Sequence, residues 1–427
     1  MRILLLALCG ATLAHAQDSL PRRVFLGASA APNPGAPGVL IRSVVPGSPA
    51  EQAGIRAGDI VTRLGSVDII GVDQFVNTVR ALHARSRVQV ALVRGGQNAA
   101  VSLAPRERPE EIVQDFDILY TSVTADSSRR RVIVTRPRTA GRHPAILLVG
   151  GIGCFSFDAA GAPPGAYTQM LYHLTRRGFV TVRVEKSGVG DSAGASCATV
   201  DLDNEAAGYT AALHAMEQYA YVDPSRVFIL GHSIGGIEAP MIAAHDTTIR
   251  GIVALSTVGI AWFEYELANL RRQLVLQGIA PDSVDRAMRV KERCMHALLV
   301  DRQTLDHVIA SDSTCRPYVQ YPAHYTYVQQ VAGQNIAALW RAVHARVLVI
   351  YPTSDFITSE QEHRYLVDAI NAMHPGQATF ATVPGMDHYL AAEESMAASI
   401  KDTRAPDARP FSTAAFPIID AWLDGIS

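Results

Sequence analysis

Val227-Phe228-Ile229-Leu230-Gly231-His232-Ser233-Ile234-Gly235-Gly236-Ile237 is the stretch on which the reading of this chain turns. It opens on an apolar run of strand character and closes on Gly236 to Ala244, a stretch of helical character. Between them lies Gly-x-Ser-x-Gly, a turn so tight that the positions flanking the serine must be small. Such a turn exposes the Ser233 hydroxyl at a sheet edge. It also sets the hydroxyl against a helix N-terminus, which favours developing negative charge. The other reading, an ordinary strand-to-helix turn with a satisfied serine, leaves the two glycines unexplained.

A serine hydroxyl is a weak nucleophile and needs a base. Downstream, Val347-Leu348-Val349-Ile350-Tyr351-Pro352-Thr353-Ser354 leads to Asp355, and Thr379 to Pro384 leads to Gly385-Met386-Asp387-His388. Both segments read as strands, and the candidates fall just after them in the order Ser, acid, His. His388 is the expected base and Asp355 the acid that fixes its tautomer. Asp387 is the rival acid, but a residue next to the base rarely reaches its ring. His232, beside the serine on a diverging turn, is expected to pack or hydrogen-bond locally.

Strands and helices alternate from Phe116 onward, which implies an α/β fold with a mostly parallel sheet covered on both faces. Asp117–Ser122 and Arg131–Arg136 read as an antiparallel pair. Ala145–Val149 is a buried strand followed by Gly150-Gly151-Ile152-Gly153-Cys154. The oxyanion of an acyl-transfer reaction needs two donors. These are expected to be the N–H groups of Ile234 and of Ile152, with Gly153 as the near alternative. The helical, sheet-free stretch at about 260–343 reads as a cap over the C-terminal sheet edge, where ligands bind in open α/β folds. Gly188-Val189-Gly190-Asp191-Ser192-Ala193 also fits a dinucleotide-binding pattern. No helix opens after it to receive a pyrophosphate, so no nicotinamide cofactor is expected, and no other cofactor or metal.

The segments LLVGGIG, VEKSGVGDSAG, GHSIGG, YPTSD and PGMDH, in that order, resemble the α/β-hydrolase superfamily near its serine-aminopeptidase-like and acyl-ester-hydrolase branches. The resemblance covers roughly Phe116 to the C-terminus and implies hydrolysis through a serine-bound acyl intermediate. Two departures stand out. Gly150 replaces the usual His of the oxyanion loop, and Glu185-Lys186-Ser187 stands where relatives often carry Asp and Arg.

Residues 24–104 form a separate unit. Gly47-Ser48-Pro49-Ala50-Glu51-Gln52-Ala53-Gly54-Ile55-Arg56-Ala57-Gly58-Asp59-Ile60-Val61, the helical pattern Asp73–His83 and the Gly95-Gly96 hairpin turn resemble a bacterial PDZ domain, a small β-sandwich or barrel-like fold. The resemblance implies that Phe25-Leu26-Gly27 offers backbone N–H groups to a peptide C-terminal carboxylate, with the peptide adding as a strand. The other reading is a PDZ unit that packs internally. Polar residues 105–115 read as a linker to a hydrolase domain over 116–427.

Composition sets the outer limits. The 427 residues are 48% hydrophobic and 18% charged, with a formal net charge of −2. That balance gives ample core and no basic footprint for nucleic acid. Met1 to Ala16 combines Arg2, an apolar stretch and Ala14-His15-Ala16, an export leader with a cleavage site after Ala16. The leader's apolar run is too short to span a bilayer, and no later segment is long and apolar enough. Export to the periplasm or beyond is therefore expected. Of five cysteines, Cys154, Cys197, Cys294 and Cys315 remain in the mature chain. Three pairings are open, and Cys154–Cys197 with Cys294–Cys315 is favoured because each staples loops of one region. The expected activity is cleavage of a small carboxylic ester. Peptide hydrolysis is the alternative, and a non-catalytic peptide-binding protein is the alternative of another class.

Overall fold

The computed structural model describes residues 20–161, 163–404 and 408–426. The predicted leader, residues 1–16, lies outside them. The larger body is built on an eight-stranded sheet. Its spatial order is Ala378–Val383, Arg346–Pro352, Ile249–Leu255, Val222–His232, His143–Val149, Val180–Val184, Ser128–Pro137 and Phe116–Ala125. The first six run parallel, and the last two join antiparallel. This is the mostly parallel α/β sheet expected from the alternation.

Every residue of His143–Val149 is buried, as a central parallel strand covered on both faces requires. The two-residue period splits its side chains. Leu147 and Val149 face a cluster with Ile229, Tyr209, Leu213 and Leu366, under the helices Leu202–Glu217 and Glu360–Met373. Ile146 and Leu148 face the opposite cluster with Leu171, Leu174, Ile419 and Leu423, under Ala166–Arg176 and Phe416–Ile426. Between strands Ile249–Leu255 and Arg346–Pro352 the chain makes only helices, from Trp262–Leu276 to Trp340–Ala342. Their apolar side chains, including Trp262, Leu298 and Val328, pack on Ile234 and Ile237 beside the serine turn. Both favoured disulfides are present, Cys154–Cys197 and Cys294–Cys315. No helix among the described residues is long and apolar enough to cross a membrane.

The smaller N-terminal body is an antiparallel sheet in the order Ala28–Pro32, Val39–Val44, Ile60–Leu64, Val88–Arg94 and Gln97–Leu103, with Val67–Asp68 paired onto Ile60–Leu64. Helices Pro49–Gln52 and Val72–Arg80 close it over a core of Val39, Ile41, Leu64, Ile69 and Leu92. Gly95 and Gly96 both take positive φ at its hairpin turn, as a two-residue hairpin demands.

Residues 105–115 contact both bodies. Arg106–Glu107 pairs with Val24–Phe25. Glu111 is buried, 2.5 Å from Arg183 and hydrogen-bonded by Tyr172 and the Ala159 N–H. Arg183 lies on a central strand with its side chain fully out of water. A buried guanidinium needs a counter-charge, and the segment folds inward to supply it.

Candidate active site

The geometry of the serine turn follows from its glycines. A Cβ on Gly231 would lie 2.5 Å from Gly235 O, and one on Gly235 would lie 2.1 Å from Val149 O. Only hydrogen fits at either position, and the chain reverses from strand Val222–His232 to helix Gly235–Ala243 within two residues. Ser233 itself is held at φ 57°, a left-handed conformation that non-glycine residues seldom adopt and that recurs at functional turns. Its N–H donates to Leu255 O, and its carbonyl accepts from the Thr257 hydroxyl, both at 3.0 Å.

His388 Nε2 stands 3.1 Å from Ser233 Oγ, and His388 Nδ1 stands 2.9 Å from Asp355 Oδ2. Asp355 is fully buried and also accepts from the N–H groups of Ile357 and Thr358 and from the Thr358 hydroxyl. Burial alone would raise its pKa. Attraction to His388 and the hydrogen bonds from His388 and Thr358 outweigh burial and hold the carboxyl well below the usual range. An ionised carboxylate only accepts, so Nδ1 carries the ring proton and Nε2 faces Ser233 with its lone pair.

Asp387 is placed elsewhere. It accepts from Ser399 and Arg409 and from the N–H groups of Tyr389 and Ala391, so it ties the loop after His388 together. His232 makes a bridge rather than a purely local contact. Its Nε2 donates to His388 O at 2.9 Å, and its Nδ1 accepts from the Tyr167 hydroxyl at 2.6 Å. Burial, followed by repulsion from His388, brings its pKa down to about 3, so the ring is neutral. Tyr167 Oη accepts in turn from Gly151 N–H at 2.9 Å. No local sequence pattern marks Tyr167, which occupies the first turn of the helix Ala166–Arg176.

Neither Ile152 nor Ile234 has an acceptor for its N–H among the described residues, and the same holds for Gly153. A Cβ on Gly151 would lie 3.5 Å from Ser233 Cβ, which puts the Gly150–Gly153 loop against the serine. Pro322, from the helical insertion, closes on Gly153 from the other side. An alcohol and an imidazole with its orienting carboxylate thus converge at the C-terminal end of the parallel strands, beside the Gly150–Gly153 loop. That arrangement can move a proton from Oγ to Nε2 as the oxygen attacks a carbonyl.

The dinucleotide-like stretch 188–193 is a buried turn. Ser192 Oγ accepts from Arg131 N–H and donates to Glu185 O, and Asp191 pairs with Arg22 and Arg131. Cys294, Cys315 and Asp312 lie close enough together to hold a metal ion, but the two sulfurs form a disulfide and Asp312 pairs with Arg293.

In the N-terminal body, Leu26 O accepts from Ala50 N–H, and Gly27 O accepts from Val45 N–H. The N–H groups of Leu26 and Gly27 have no acceptor among the described residues. Gly27 has φ 74°, and a Cβ there would lie 2.2 Å from Ser48 Cβ. The neighbouring strand Ala28–Pro32 is a sheet edge, with Val39–Val44 as its one partner. The Phe25 ring lies between Gly27 and Gly161 of the larger body, its Cζ 3.0 and 3.2 Å from where a Cβ on each would lie.

Residues 161–395, more than half of the chain, match the family model described as serine aminopeptidase, S33. The chain belongs to the serine aminopeptidase S33 family. Residues 23–104 match the PDZ model, so this S33 chain carries an N-terminal PDZ domain. This S33 chain is similar to Esterase EstD of Thermotoga maritima, 29% identical over 167 residues, 35% of this chain and 40% of that protein. It is also similar to a probable periplasmic serine endoprotease DegP-like of Chlamydia pneumoniae, 28% identical over 108 residues, 24% of this chain and 22% of that protein. The aligned parts thus span well under half of either relative. An esterase structure from Pyrococcus furiosus superposes with a TM-score of 0.45 at 12% identity, covering 75% of this chain and 94% of that one.

Proposed function

We propose that this protein is an exported serine esterase in which Ser233 is acylated, His388 moves the proton and Asp355 orients the imidazole. The observation that carries this reading is the continuous relay from Asp355 through His388 to Ser233, with hydrogen-bond distances of 2.9 and 3.1 Å. Ser233 Oγ attacks the ester carbonyl as His388 Nε2 takes its proton. The Ile234 and Ile152 N–H groups receive the oxyanion. His388 returns the proton to the departing alkoxide, and water then repeats the sequence on the acyl-enzyme.

Ester cleavage is favoured over aminopeptidase action by the likeness to Esterase EstD of Thermotoga maritima. Export is supported by the two disulfides, which persist in oxidising compartments. The PDZ domain is proposed to capture a peptide C-terminus, its carboxylate on the Leu26 and Gly27 N–H groups and its backbone along Ala28–Pro32.

The test is a comparison of kcat/KM on p-nitrophenyl esters and aminoacyl p-nitroanilides, for wild type and Ser233→Ala. The reading requires ester turnover at least about a hundredfold above anilide turnover, abolished in the variant. A preference for the anilides would assign the chain to peptide hydrolysis.

A further inference from the structure

The Gly150-Gly151-Ile152 backbone is held by two side chains from outside its loop, Tyr167 on the first peptide and Lys186 on the second. Gly151 N–H donates to Tyr167 Oη at 2.9 Å, and Gly151 O accepts from Lys186 Nζ at 2.7 Å. Lys186 is buried, and its ammonium also pairs with the buried Glu205 carboxylate at 2.7 Å. The Tyr327 hydroxyl, from the helical insertion, reaches the same carboxylate oxygen at 3.4 Å. A buried ammonium with a buried counter-ion is costly to assemble, and a plain structural pair would not need its third contact to fall on this loop. Glu185, the preceding residue, grips the far end of the same loop. Its carboxylate accepts from Ser156 Oγ, Phe157 N–H and Asp158 N–H at 2.7 to 3.0 Å.

In a planar trans peptide the C=O and the following N–H point in opposite directions. Fixing Gly151 O toward Lys186 therefore fixes where Ile152 N–H points. Gly151 forms one side of that bond and Gly153 follows Ile152, with a φ of 121° that other residues avoid. Without the Lys186 hold, this glycine-rich peptide is free to flip.

We infer that Lys186 is a positioning residue for the hydrolysis proposed above: by holding Gly151 O, and being held by Glu205, it keeps the Ile152 N–H aimed at the oxyanion. The inference rests on the esterase reading and extends it to a residue that never touches substrate. Lys186 thereby gives a role to the departure Glu185-Lys186 from the Asp and Arg of relatives. Each residue holds one end of the oxyanion loop.

The test is steady-state hydrolysis of a p-nitrophenyl ester together with inhibition by a trifluoromethyl ketone, whose hemiketal places an oxyanion in the hole. Lys186→Met strands Glu205 and can fail to fold. The Lys186→Met/Glu205→Gln double variant removes both charges and is the one to measure, with thermal unfolding as the folding check. Removing one oxyanion donor outright costs about 10²–10³ in kcat. A misaimed donor is expected to lower kcat about 10- to 100-fold with KM changed less than about threefold, and to weaken the ketone by the same factor. Lys186→Arg, which keeps charge and donor, should recover at least about tenfold of that loss. A folded double variant with wild-type kcat and ketone affinity overturns the inference alone. So does a loss confined to KM, or an Arg variant no better than the double variant. A wild-type enzyme whose ester hydrolysis survives Ser233→Ala overturns the esterase reading and this inference together.

Discussion

Arg22, two residues before the first strand of the PDZ domain, reaches across to Asp191 of the hydrolase sheet body at 2.6 Å and to Asp158 at 2.8 Å. Both aspartates are almost wholly out of water. Arg131 completes the cluster by pairing with Asp191 and donating to Leu20 O. The PDZ domain is therefore stitched to the hydrolase on both of its flanks, at Arg22 before it and at Glu111 after it.

Arg22→Ala leaves Asp191 with Arg131, and leaves Asp158 with Arg108 at 3.8 Å and with hydrogen bonds from the Tyr120 hydroxyl and the Ala160 N–H. Breaking a buried pair costs about 3–5 kcal/mol when nothing replaces the partner. With these partners remaining, a loss of about 1–3 kcal/mol is expected in urea unfolding. A chain that begins at Pro105 should show at least the same loss, because it lacks Arg22. It should nevertheless keep ester turnover once folded. An unchanged unfolding midpoint would mean that the cluster contributes nothing.

Asp355→Asn should leave the fold intact and lower kcat by about 10³–10⁴, since the amide no longer fixes the His388 tautomer. Asp387→Asn should act the other way. It loosens the Arg409 and Ser399 contacts and lowers stability, while kcat in the folded enzyme stays within about fivefold. Parallel kinetics and unfolding on the two variants would expose a swapped assignment.

The disulfides should separate in their effects. Cys154 lies two residues after Ile152, and its bridge to Cys197 closes a span of 43 residues, against 21 for Cys294–Cys315. Loop-closure entropy makes these worth roughly 4 and 3 kcal/mol. Cys154→Ser/Cys197→Ser should lose stability and also kcat, because the oxyanion loop loses its anchor. Cys294→Ser/Cys315→Ser should lose stability with small-ester kcat nearly unchanged.

Two buried histidines should each withdraw stability as pH falls below 6.5. Burial brings the pKa of His232 down to about 3 and that of His363 to about 4, so both stay neutral in the fold while the unfolded chain protonates near 6.5. Both contributions are complete above pH 6.5 and are lost as pH falls toward these values. Each bound proton gives a slope of about 1.4 kcal/mol per pH unit. Burial raises the pKa of Glu185 and of Glu362 to about 7, so both take up protons in the fold over the same range and oppose that slope. The difference between wild type and His363→Gln in unfolding free energy from pH 7 to 4.5 isolates the His363 contribution, at about one proton.

The catalytic candidates were legible because each sits where a parallel strand ends, and adjacency to His388 ranked Asp387 below Asp355. The sheet was legible for a related reason: buried parallel strands are written as unbroken apolar runs, as in Ala145–Val149. What stayed hidden were polar partners chosen by tertiary contact. Glu111 looks like one more charge in a polar segment until Arg183 is seen facing it. Tyr167, Lys186 and Glu205 carry no local pattern, since their partners lie 16 to 122 residues away. His232 was assigned to local packing, and its bridge to the His388 backbone depends on a loop 156 residues downstream.

The central claim is that Ser233 is the nucleophile and His388 its base. Intact-protein mass spectrometry after exposure to a fluorophosphonate measures it directly. Wild type should gain one phosphonyl group, mapped to the peptide containing Ser233. Ser233→Ala should gain none, and His388→Ala should react at least about a thousandfold more slowly. Undiminished labelling of Ser233→Ala, or of His388→Ala, would contradict the account.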